Sequence, residues 1–288
     1  MAFVLLLTSH VAASRVGGGV AESALQSHGI DTALVPTVIL GRHPGWGAPG
    51  GGAVDDAMFS SALDGVAANG MFALTDAVLT GYFASAAQVD RAAAAIDAVR
   101  AATTRKAHNV CAYAPEPVIV VDPIMGDHGK LYVPDPVASA IRHQLIPRAD
   151  LVTPNAWELG WLTGKPVTDA QLALAAARSL KRPVLVSSVP KGDEIGILHA
   201  DAHSACFVSH PVLEDVPKGT GDLLTAEFLA SRLLGADPKT ALEVAVRRVW
   251  DTLLKARDWS AFELPDVTAR LKPMMPQAAG LEARALEG

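Results

Sequence analysis

The chain has 288 residues, 50% of them hydrophobic and 19% charged, and this composition excludes an intrinsically disordered protein. Its 24 lysines and arginines and 30 aspartates and glutamates give a net charge of −6, so neither a nucleic-acid partner nor binding to an anionic membrane surface is expected. Two cysteines are too few for a disulfide framework, which favours a reducing, cytoplasmic location.

The first apolar run, residues 3–7, predicts a buried strand. A signal peptide is not expected, because no basic segment precedes the run and Thr8 ends it after a few residues. The chain also lacks the roughly 18 consecutive apolar residues that a membrane-spanning helix needs. We therefore expect no membrane partner.

Short apolar runs alternate with longer helical patterns along the chain, as in an α/β fold. The apolar runs lie at 3–7, 33–40, 77–79, 118–121, 151–152 and 184–186. The helical patterns lie at 19–28, 53–69, 86–103, 136–145, 155–162 and 169–180. Because the runs are continuously apolar, we expect a central, mostly parallel sheet that helices cover on both faces.

Two features depart from simple alternation. Residues 32–40 resemble two short strands broken at Pro36, whereas 195–198 and 205–208 predict a hairpin. Strong helical patterns follow at 222–234 and 239–255.

We expect a single domain over residues 1–272 and a loosely held C-terminal tail over 273–288. The glycine-rich residues 43–52 have two interpretations, a surface linker or a mobile lid that carries Trp46. As a lid, the loop would be mobile without ligand and would order when substrates bind.

The strongest chemical motif is Gly219-Thr220-Gly221-Asp222, which opens a predicted helix. Backbone N–H groups converge at a helix N-terminus, and glycine lets an anion approach them closely. An acidic side chain beside such an anion site is explained if Asp222 removes a proton from a hydroxyl group that attacks phosphorus. The alternative is that Asp222 is only an N-cap.

A second candidate site follows the apolar run 118–121, where Asp122 and Asp127 stand in Asp122-Pro-Ile-Met-Gly-Asp127. Open α/β sheets bind ligands at the carboxyl ends of their strands, so both carboxylates are candidates for a metal and phosphate site. The alternative is that Asp122 only caps the turn.

Two more strand ends carry polar residues. Asn155 and Glu158 have the spacing of a capping box, but they also supply the oxygen atoms that Mg²⁺ prefers. Ser187 and Ser188 end the next apolar run. Several strand ends with polar side chains indicate one active site at the carboxyl edge of the sheet.

Together and in this order, these motifs resemble the ribokinase-like superfamily, whose fold is a three-layer sandwich. Its landmarks are Asp-Pro-x-Met-Gly-Asp at 122–127, Thr-Pro-Asn-x-x-Glu at 153–158 and Gly-Thr-Gly-Asp at 219–222. Within it, residues 3–250 resemble the pyridoxal kinase family. That resemblance rests on Ser9-His10-Val11, Gly17-Gly18, Thr37-Val38, His43 and Leu79-Thr80-Gly81-Tyr82.

The resemblance implies ATP-dependent phosphorylation of the 5′-hydroxymethyl group of pyridoxal, pyridoxine or pyridoxamine. It implies that Asp222 is the base and that Gly219, Thr220 and Gly221 form the anion hole. It places Asp122, Asn155 and Glu158 around Mg²⁺ and the ATP phosphates, with Asp122 and Glu158 as the metal residues, partly through water. It places Asp127, Tyr132, Thr153, Ser187 and Ser188 around the nucleotide. It places Ser9, Val16, Val38, Leu40, His43, Tyr82 and Asp222 around the vitamin.

The resemblance also suggests a homodimer and K⁺ as a monovalent cation. The chain departs from the family's pattern at Gly18, Gly41, Arg42, Pro44 and Trp46, all in the implied vitamin pocket or lid. A hydroxymethylpyrimidine kinase is an alternative, although its usual glutamine- and glycine-rich opening after the first strand is absent. A non-catalytic nucleotide-binding protein is another, although a sensor would not need the base.

Overall fold

The apolar runs form a ten-stranded sheet in the computed structural model, which describes residues 2–13, 16–102, 116–213, 216–257 and 284–285. Its strands are β1 Phe3–Val11, β2 Asp31–Leu40, β3 Gly51–Ala53, β4 Ala77–Thr80, β5 Val118–Val121, β8 Leu151–Val152, β9 Val184–Lys191, β10 Glu194–Ala200, β11 Ala205–Pro211 and β12 Arg284–Ala285. A separate hairpin consists of β6 Gly126–Asp127 and β7 Lys130–Leu131.

The spatial order of the sheet is β12-β11-β10-β9-β8-β5-β4-β1-β2-β3. The six central strands, from β9 to β2, run parallel, and the strands at both ends are antiparallel. The predicted mostly parallel sheet is therefore confirmed. Parallel neighbours need crossovers, and the helices supply them.

The helices are α1 Gly18–Ser27, α2 Asp56–Ala68, α3 Met71–Leu74, α4 Ala86–Ala102, α5 Asp135–Ala140, α6 Ala156–Thr163, α7 Ala170–Ser179, α8 Thr220–Leu233 and α9 Pro238–Arg257. A π-helical turn at Ile141–Leu145 extends α5, and 3₁₀ turns occupy Pro44–Trp46 and Ile146–Arg148. None of the helices in the described part of the chain is long and apolar enough to cross a bilayer.

Strand β1 shows why the sheet forms the middle of three layers. Val4 and Leu6 pack on one face with α1, α8 and α9, whereas Leu5 and Leu7 pack on the other with α2, α3, α4 and α5. All four side chains are fully buried. A third core joins α6 and α7 to β9, β10 and β11. The expected three-layer sandwich is thus confirmed.

Two boundary predictions were wrong. Residues 32–40 are not broken at Pro36, because β2 runs continuously from Asp31 to Leu40 and Pro36 pairs with Thr8. Strand β3 pairs with β2 only at Val38–Leu40, and the pairing of β1 with β2 shifts register between Thr8 and His10, next to the Thr8–Pro36 pair. The proline therefore lies beside an irregular part of the ladder. The second error concerns the loop at 43–52, since Gly51 and Gly52 already belong to β3.

The predicted tail lies almost entirely outside the described residues. Its described part, Arg284–Ala285, is β12 and pairs with Phe207 and Cys206 of β11. These two residues therefore extend the sheet rather than lying apart from it.

The core contains one histidine whose burial makes stability depend on pH. His199 of β10 is 4% exposed and stacks on Phe228 of α8 with 5.5 Å between the ring centroids. Burial lowers the pKa of His199 to about 4. Between pH 6.5 and 4 the unfolded chain therefore binds a proton that the native protein does not, so stability falls as the pH falls.

We expect His199→Leu to reduce this acid sensitivity. Between pH 6.5 and 5 the wild type should lose about 2 kcal/mol more of its free energy of unfolding than the variant, because each unit of pKa difference corresponds to about 1.4 kcal/mol. Urea unfolding at both pH values measures the difference. The exposed His203→Leu is the control, and equal pH dependence in all three proteins would contradict the prediction.

Candidate active site

The carboxyl edge of the sheet brings the polar motifs together. Four backbone N–H groups at this edge donate to a neighbouring segment at 3.0 Å: those of Gly81, Asp122 and Thr153, which follow β4, β5 and β8, and that of Ser187. This chain of hydrogen bonds fixes the strand ends side by side. Ser187 and Ser188 do not end their strand as predicted, because β9 continues to Lys191. Every site residue predicted from the sequence lies within the described ranges.

The N-terminus of α8 carries the strongest motif to this edge. Gly219 is the N-cap and has a left-handed backbone with φ of 96°, which glycine adopts without a steric penalty. Thr220 begins the helix, so Asp222 lies inside the first turn and does not cap it. The capping interpretation of Asp222 is therefore wrong.

Asp222 instead contacts the turn between β1 and α1. Its Oδ2 accepts a hydrogen bond from the Gly17 N–H at 3.1 Å. Gly17 has φ of 63°, and a Cβ built there would lie 2.1 Å from the Ser9 Oγ. A larger residue would therefore push the turn away from Ser9. This arrangement places Ser9, predicted to hold the substrate ring, beside the residue that contacts the predicted base.

Asp122 lies in the same cleft and is 8% exposed. The Thr225 hydroxyl donates a hydrogen bond to its Oδ2 at 3.2 Å. The hydrogen bond to this carboxylate thus comes from α8, which speaks against Asp122 serving only to cap its own turn. Burial raises the pKa of Asp122 well above its usual value, and the negative charges of Asp222 and Glu158 raise it further.

Thr225 was missed in the sequence, although a signal for it exists. It stands three residues after Asp222, and this spacing puts both on one face of a helix. The cleft between α8 and the strand ends is lined by Thr8, Gly17, Ala21, Leu79, Thr80, Gly81, Asp122, Asp222 and Thr225.

Asn155 and Glu158 form the capping box that their spacing predicts. The Asn155 Oδ1 accepts from the Glu158 N–H at 2.8 Å, and the Glu158 Oε2 accepts from the Asn155 N–H at 2.9 Å. The other oxygen of Glu158 accepts from the N–H groups of Met125 and Gly126 at 2.9 and 3.2 Å. Glu158 therefore caps α6 and also fixes the segment after Asp122.

Glu158 is almost completely buried, at 3% exposure. Burial raises its pKa to about 7, although three backbone hydrogen bonds favour the charged form. Asp122, Asp222 and Glu158 thus form an electronegative group, in which each further negative charge is unfavourable. A cation or a shared proton would relieve that repulsion.

The β6–β7 hairpin borders this group. Asp127 is exposed, and its carboxylate accepts from the His128 N–H at 2.7 Å. Tyr132 follows the hairpin and is half exposed. Its pKa is raised by partial burial and then by the nearby carboxylates, of which Glu158 contributes most. Tyr132 therefore lies in the same electronegative region as Asp122.

The remaining predicted nucleotide residues divide into two groups. Thr153 is buried at the end of β8, and Ser187 is half-buried and forms a parallel bridge with Asn155. Ser188, in contrast, is exposed and has a left-handed φ of 59°. Thr153 and Ser187 thus join the capping-box region, whereas Ser188 faces solvent beside it.

The predicted vitamin residues gather where β1 and β2 end. Val16 and Val38 are buried, and Leu40 is half-buried. Tyr82 is tied to both strands, because its N–H donates to the Thr8 hydroxyl at 3.2 Å and its carbonyl accepts from a β2 hydroxyl at 2.6 Å. Partial burial raises the pKa of its phenol.

The loop between β2 and β3 carries His43. Its Nδ1 accepts a hydrogen bond from the Gly45 N–H at 2.9 Å, and its ring lies 5.3 Å from that of Trp46. Arg42 closes the loop, since its Nε donates to the Ala48 carbonyl at 2.8 Å. The loop therefore has its own hydrogen-bonded structure, and its closure over a substrate stays a prediction.

Several known proteins resemble this chain in sequence. The phosphomethylpyrimidine kinase family model matches residues 70–264. Pyridoxine/pyridoxal/pyridoxamine kinase of Bordetella avium is 35% identical and covers 99% of this chain, with 92% of its own length matched. Pyridoxal kinase PdxY of Corynebacterium diphtheriae is 32% identical over 87% of this chain and 88% of its own.

Solved structures give the same result. Pyridoxal kinase from Leishmania donovani in complex with ADP and pyridoxamine has a TM-score of 0.87 and 25% identity, and it covers 100% of both chains. The complex of that enzyme with ADP and pyridoxine has a TM-score of 0.86 and 25% identity, with 99% of both chains covered. On the evidence of its relatives and of its fold, this chain belongs to the pyridoxal kinase family of phosphotransferases.

Proposed function

We propose that the protein transfers the γ-phosphoryl group of ATP to the 5′-hydroxymethyl group of pyridoxal, pyridoxine or pyridoxamine. The observation that carries this proposal is the position of Asp222, inside the first turn of α8 and hydrogen-bonded to the Gly17 N–H. From there it lies between the predicted anion hole and Ser9. The names of the relatives support the choice of substrate and of nucleotide.

Asp222 acts as the base in this proposal. Its carboxylate takes the proton of the substrate hydroxyl as that oxygen forms a bond to the γ-phosphorus. The bond between the γ-phosphorus and the oxygen that bridges it to the β-phosphorus breaks, and ADP leaves with the electron pair. The Gly17 N–H holds the carboxylate in place, so Asp222 meets the hydroxyl in a fixed orientation.

The backbone of Gly219, Thr220 and Gly221 binds the transferring group. A helix N-terminus offers unpaired N–H groups and a partial positive charge to an anion. A Cβ built at Gly221 would meet nothing within 4 Å, so the space beside this backbone is open to a phosphoryl group. The anion hole can therefore bind the phosphoryl group with backbone N–H groups, without a hydrogen-bond donor from a side chain.

The carboxylates of Asp122 and Glu158 fit a Mg²⁺ ion. Among the described residues, no three His, Cys, Asp or Glu side chains come together as a complete metal site. Mg²⁺ in phosphoryl-transfer enzymes is held by one or two carboxylates together with substrate phosphates and water, so a complete protein cage is not required. The ion would neutralise charge on the phosphates. Glu158, which already accepts three N–H groups, would hold it through water.

The substrate ring would lie among Ser9, Val16, Val38 and Tyr82, with Leu40 and His43 at its edge. Apolar walls with few polar anchors suit a flat aromatic alcohol. We further propose a homodimer in the cytoplasm that uses K⁺ as a monovalent cation and binds no nucleic acid. The support for dimer and K⁺ is the family resemblance, and that for the rest is composition and charge.

If Asp222 is the base, Asp222→Asn lowers turnover by roughly 10²- to 10⁴-fold, the usual contribution of a positioned acid–base group. ATP binding should change little, because backbone N–H groups form the anion hole. Steady-state kinetics and nucleotide titration measure the two effects. Asp237→Asn is the matched control, because Asp237 caps the start of α9, just beyond the C-terminal end of α8 and about 20 Å away. Wild-type turnover in Asp222→Asn would exclude the base.

Substrate choice separates the proposal from the hydroxymethylpyrimidine kinase alternative. With ATP and Mg²⁺, we expect the highest kcat/KM for a B6 vitamer and the appearance of pyridoxal phosphate absorbance when pyridoxal is the substrate. A higher kcat/KM for hydroxymethylpyrimidine would favour the alternative. ATP binding without phosphorylation of either alcohol would favour a non-catalytic protein.

We expect Glu158→Gln to impair both folding and metal use. The amide nitrogen cannot accept the N–H groups that one carboxylate oxygen accepts, so unfolding free energy falls by roughly 1–3 kcal/mol. The neutral side chain also raises the Mg²⁺ concentration needed for half-maximal rate. Asp169→Asn, which caps α7, is the control. A lower melting temperature with unchanged Mg²⁺ dependence would assign Glu158 to capping alone.

A further inference from the structure

The hydrogen bonds of Gln88 join three segments that meet only in the fold. Gln88 lies in the first turn of α4 and is 1% exposed. Its Nε2 donates to the Thr37 carbonyl of β2 at 3.0 Å and to the Val54 carbonyl, directly after β3, at 2.8 Å. Its Oε1 accepts from the Ala84 N–H, in the segment after β4, at 3.0 Å. One side chain thus connects the backbone of β2 to the segments that follow β3 and β4.

These three contacts fix the orientation of the Gln88 amide. Both partners of Nε2 are carbonyl oxygens, which only accept, and the partner of Oε1 is an N–H group, which only donates. A reversed amide would therefore lose all three hydrogen bonds. Rotation of the side chain would leave buried backbone groups unpaired, which is strongly unfavourable. Gln88 is therefore a rigid connection between the segments.

The connected segments carry two of the residues predicted to wall the vitamin ring, Val38 and Tyr82. Thr37 directly precedes Val38, and its hydroxyl donates to the Tyr82 carbonyl at 2.6 Å. The Thr37 carbonyl accepts both from Gln88 and from the Val54 N–H, the latter at 2.9 Å. Thr37 is fully buried, as Gln88 is. The chain of hydrogen bonds from Gln88 through Thr37 therefore reaches both predicted walls.

We propose that Gln88 is a positioning residue, which holds Val38 and Tyr82 at a fixed separation and thereby sets the affinity of the pocket for the vitamin ring. A gap of about 0.5–1 Å already forfeits about a quarter to a half of a dispersion contact. The ring does not change when its hydroxymethyl group is phosphorylated, so its walls bind the ground state and the transition state equally. Gln88 therefore affects KM for the vitamin rather than kcat. This inference rests on the proposed kinase function, and it adds a residue that neither the family motifs nor the proposed reaction contains.

Substitutions at both ends of this connection test it. Gln88→Met keeps the length of the side chain and removes its three hydrogen bonds, whereas Gln88→Asn keeps the amide on a stem one methylene shorter. Thr37→Val removes the hydroxyl that bonds to the Tyr82 carbonyl, and Thr37→Ser keeps it. Asp76→Ala is the matched control, because Asp76 is also buried and its Oδ2 accepts from the Phe3 N–H at 2.8 Å at the opposite, amino edge of the sheet.

We expect Gln88→Met to raise KM for pyridoxal by roughly three- to tenfold, because the loss of a hydrogen bond changes an equilibrium by a factor of this order. kcat and KM for ATP should stay within about twofold of wild type. Gln88→Asn and Thr37→Val should raise KM for pyridoxal less, and Thr37→Ser should match the wild type. Asp76→Ala should lower the melting temperature and leave KM unchanged. In the double variant Gln88→Met/Thr37→Val, the rise in KM should be smaller than the product of the two single rises, because both substitutions loosen the same connection.

Amide hydrogen exchange tests the connection without a vitamin. The amides of Val54 and Tyr82 keep their own acceptors in Gln88→Met, namely the Thr37 carbonyl and the Thr8 hydroxyl. We expect both amides to exchange faster in this variant relative to the amides of β9, which serve as the reference for opening of the whole protein. In the control variant, this ratio should stay as in the wild type.

Two results would overturn the inference. One is a wild-type KM for pyridoxal in Gln88→Met, or in Gln88→Asn should Gln88→Met not fold, or a rise in KM that Asp76→Ala shows equally. The other is unchanged relative exchange of the Val54 and Tyr82 amides in the folded Gln88 variant. If the wild type phosphorylates no B6 vitamer, the proposed function fails, and the exchange result still decides whether Gln88 holds these segments together.

Discussion

One hydrogen bond, from the Gly17 N–H to the Asp222 carboxylate, connects the two ends of the site. The residues are 205 positions apart in the chain, and their contact at 3.1 Å sets the start of α1 against the start of α8. The turn that donates it requires glycine, because a Cβ at Gly17 would lie 2.1 Å from the Ser9 Oγ. Ser9, predicted to bind the ring, and the start of α8, predicted to bind the phosphoryl group, thus lie close to one point, Gly17.

The same point concentrates negative charge, which is unfavourable in a folded protein without ligands. Asp122 and Glu158 are buried, and burial raises the pKa of both. Native structures keep such groups only where they are hydrogen-bonded or paired. Here backbone N–H groups stabilise Glu158 and the Thr225 hydroxyl stabilises Asp122. Part of the stability of the surrounding core therefore offsets the unfavourable free energy of these buried carboxylates. The resulting site suits a cation and a phosphate.

Features of this fold could be predicted from the sequence when they depend on residues that are close together in the chain. The central strands were predictable, because a strand buried on both faces, such as β1, must be apolar at consecutive positions. The capping box of α6 was predictable from spacing alone. The continuity of β2 through Pro36 was not, because it depends on how that strand pairs with β1, whose register shifts between Thr8 and His10.

The site was predictable to a similar degree. The order of the motifs along the chain indicated which residues lie at the carboxyl edge of the sheet. Parallel strands bring such residues together. The second role of Glu158 was not visible, because its bonds to Met125 and Gly126 join segments that are more than 30 positions apart. The spacing of residues along the chain predicts helix caps. Only the fold shows which distant backbone N–H groups the same capping side chain also accepts.

The departures from the family pattern have physical explanations that lie outside the phosphoryl-transfer residues. At Gly18, a Cβ would lie 2.7 Å from both terminal carbons of Leu34, so the Leu34 side chain occupies the space that a larger residue would need. Pro44 begins the 3₁₀ turn, where its fixed φ is favourable. Arg42 closes the loop by donating to the Ala48 carbonyl. Pro44 and Arg42 therefore support the loop after β2, and Gly219–Asp222 keeps the superfamily motif. If this loop covers the vitamin, as the family resemblance predicts, differences in substrate preference are expected to arise there, because the predicted anion hole would act on the same group in every vitamer.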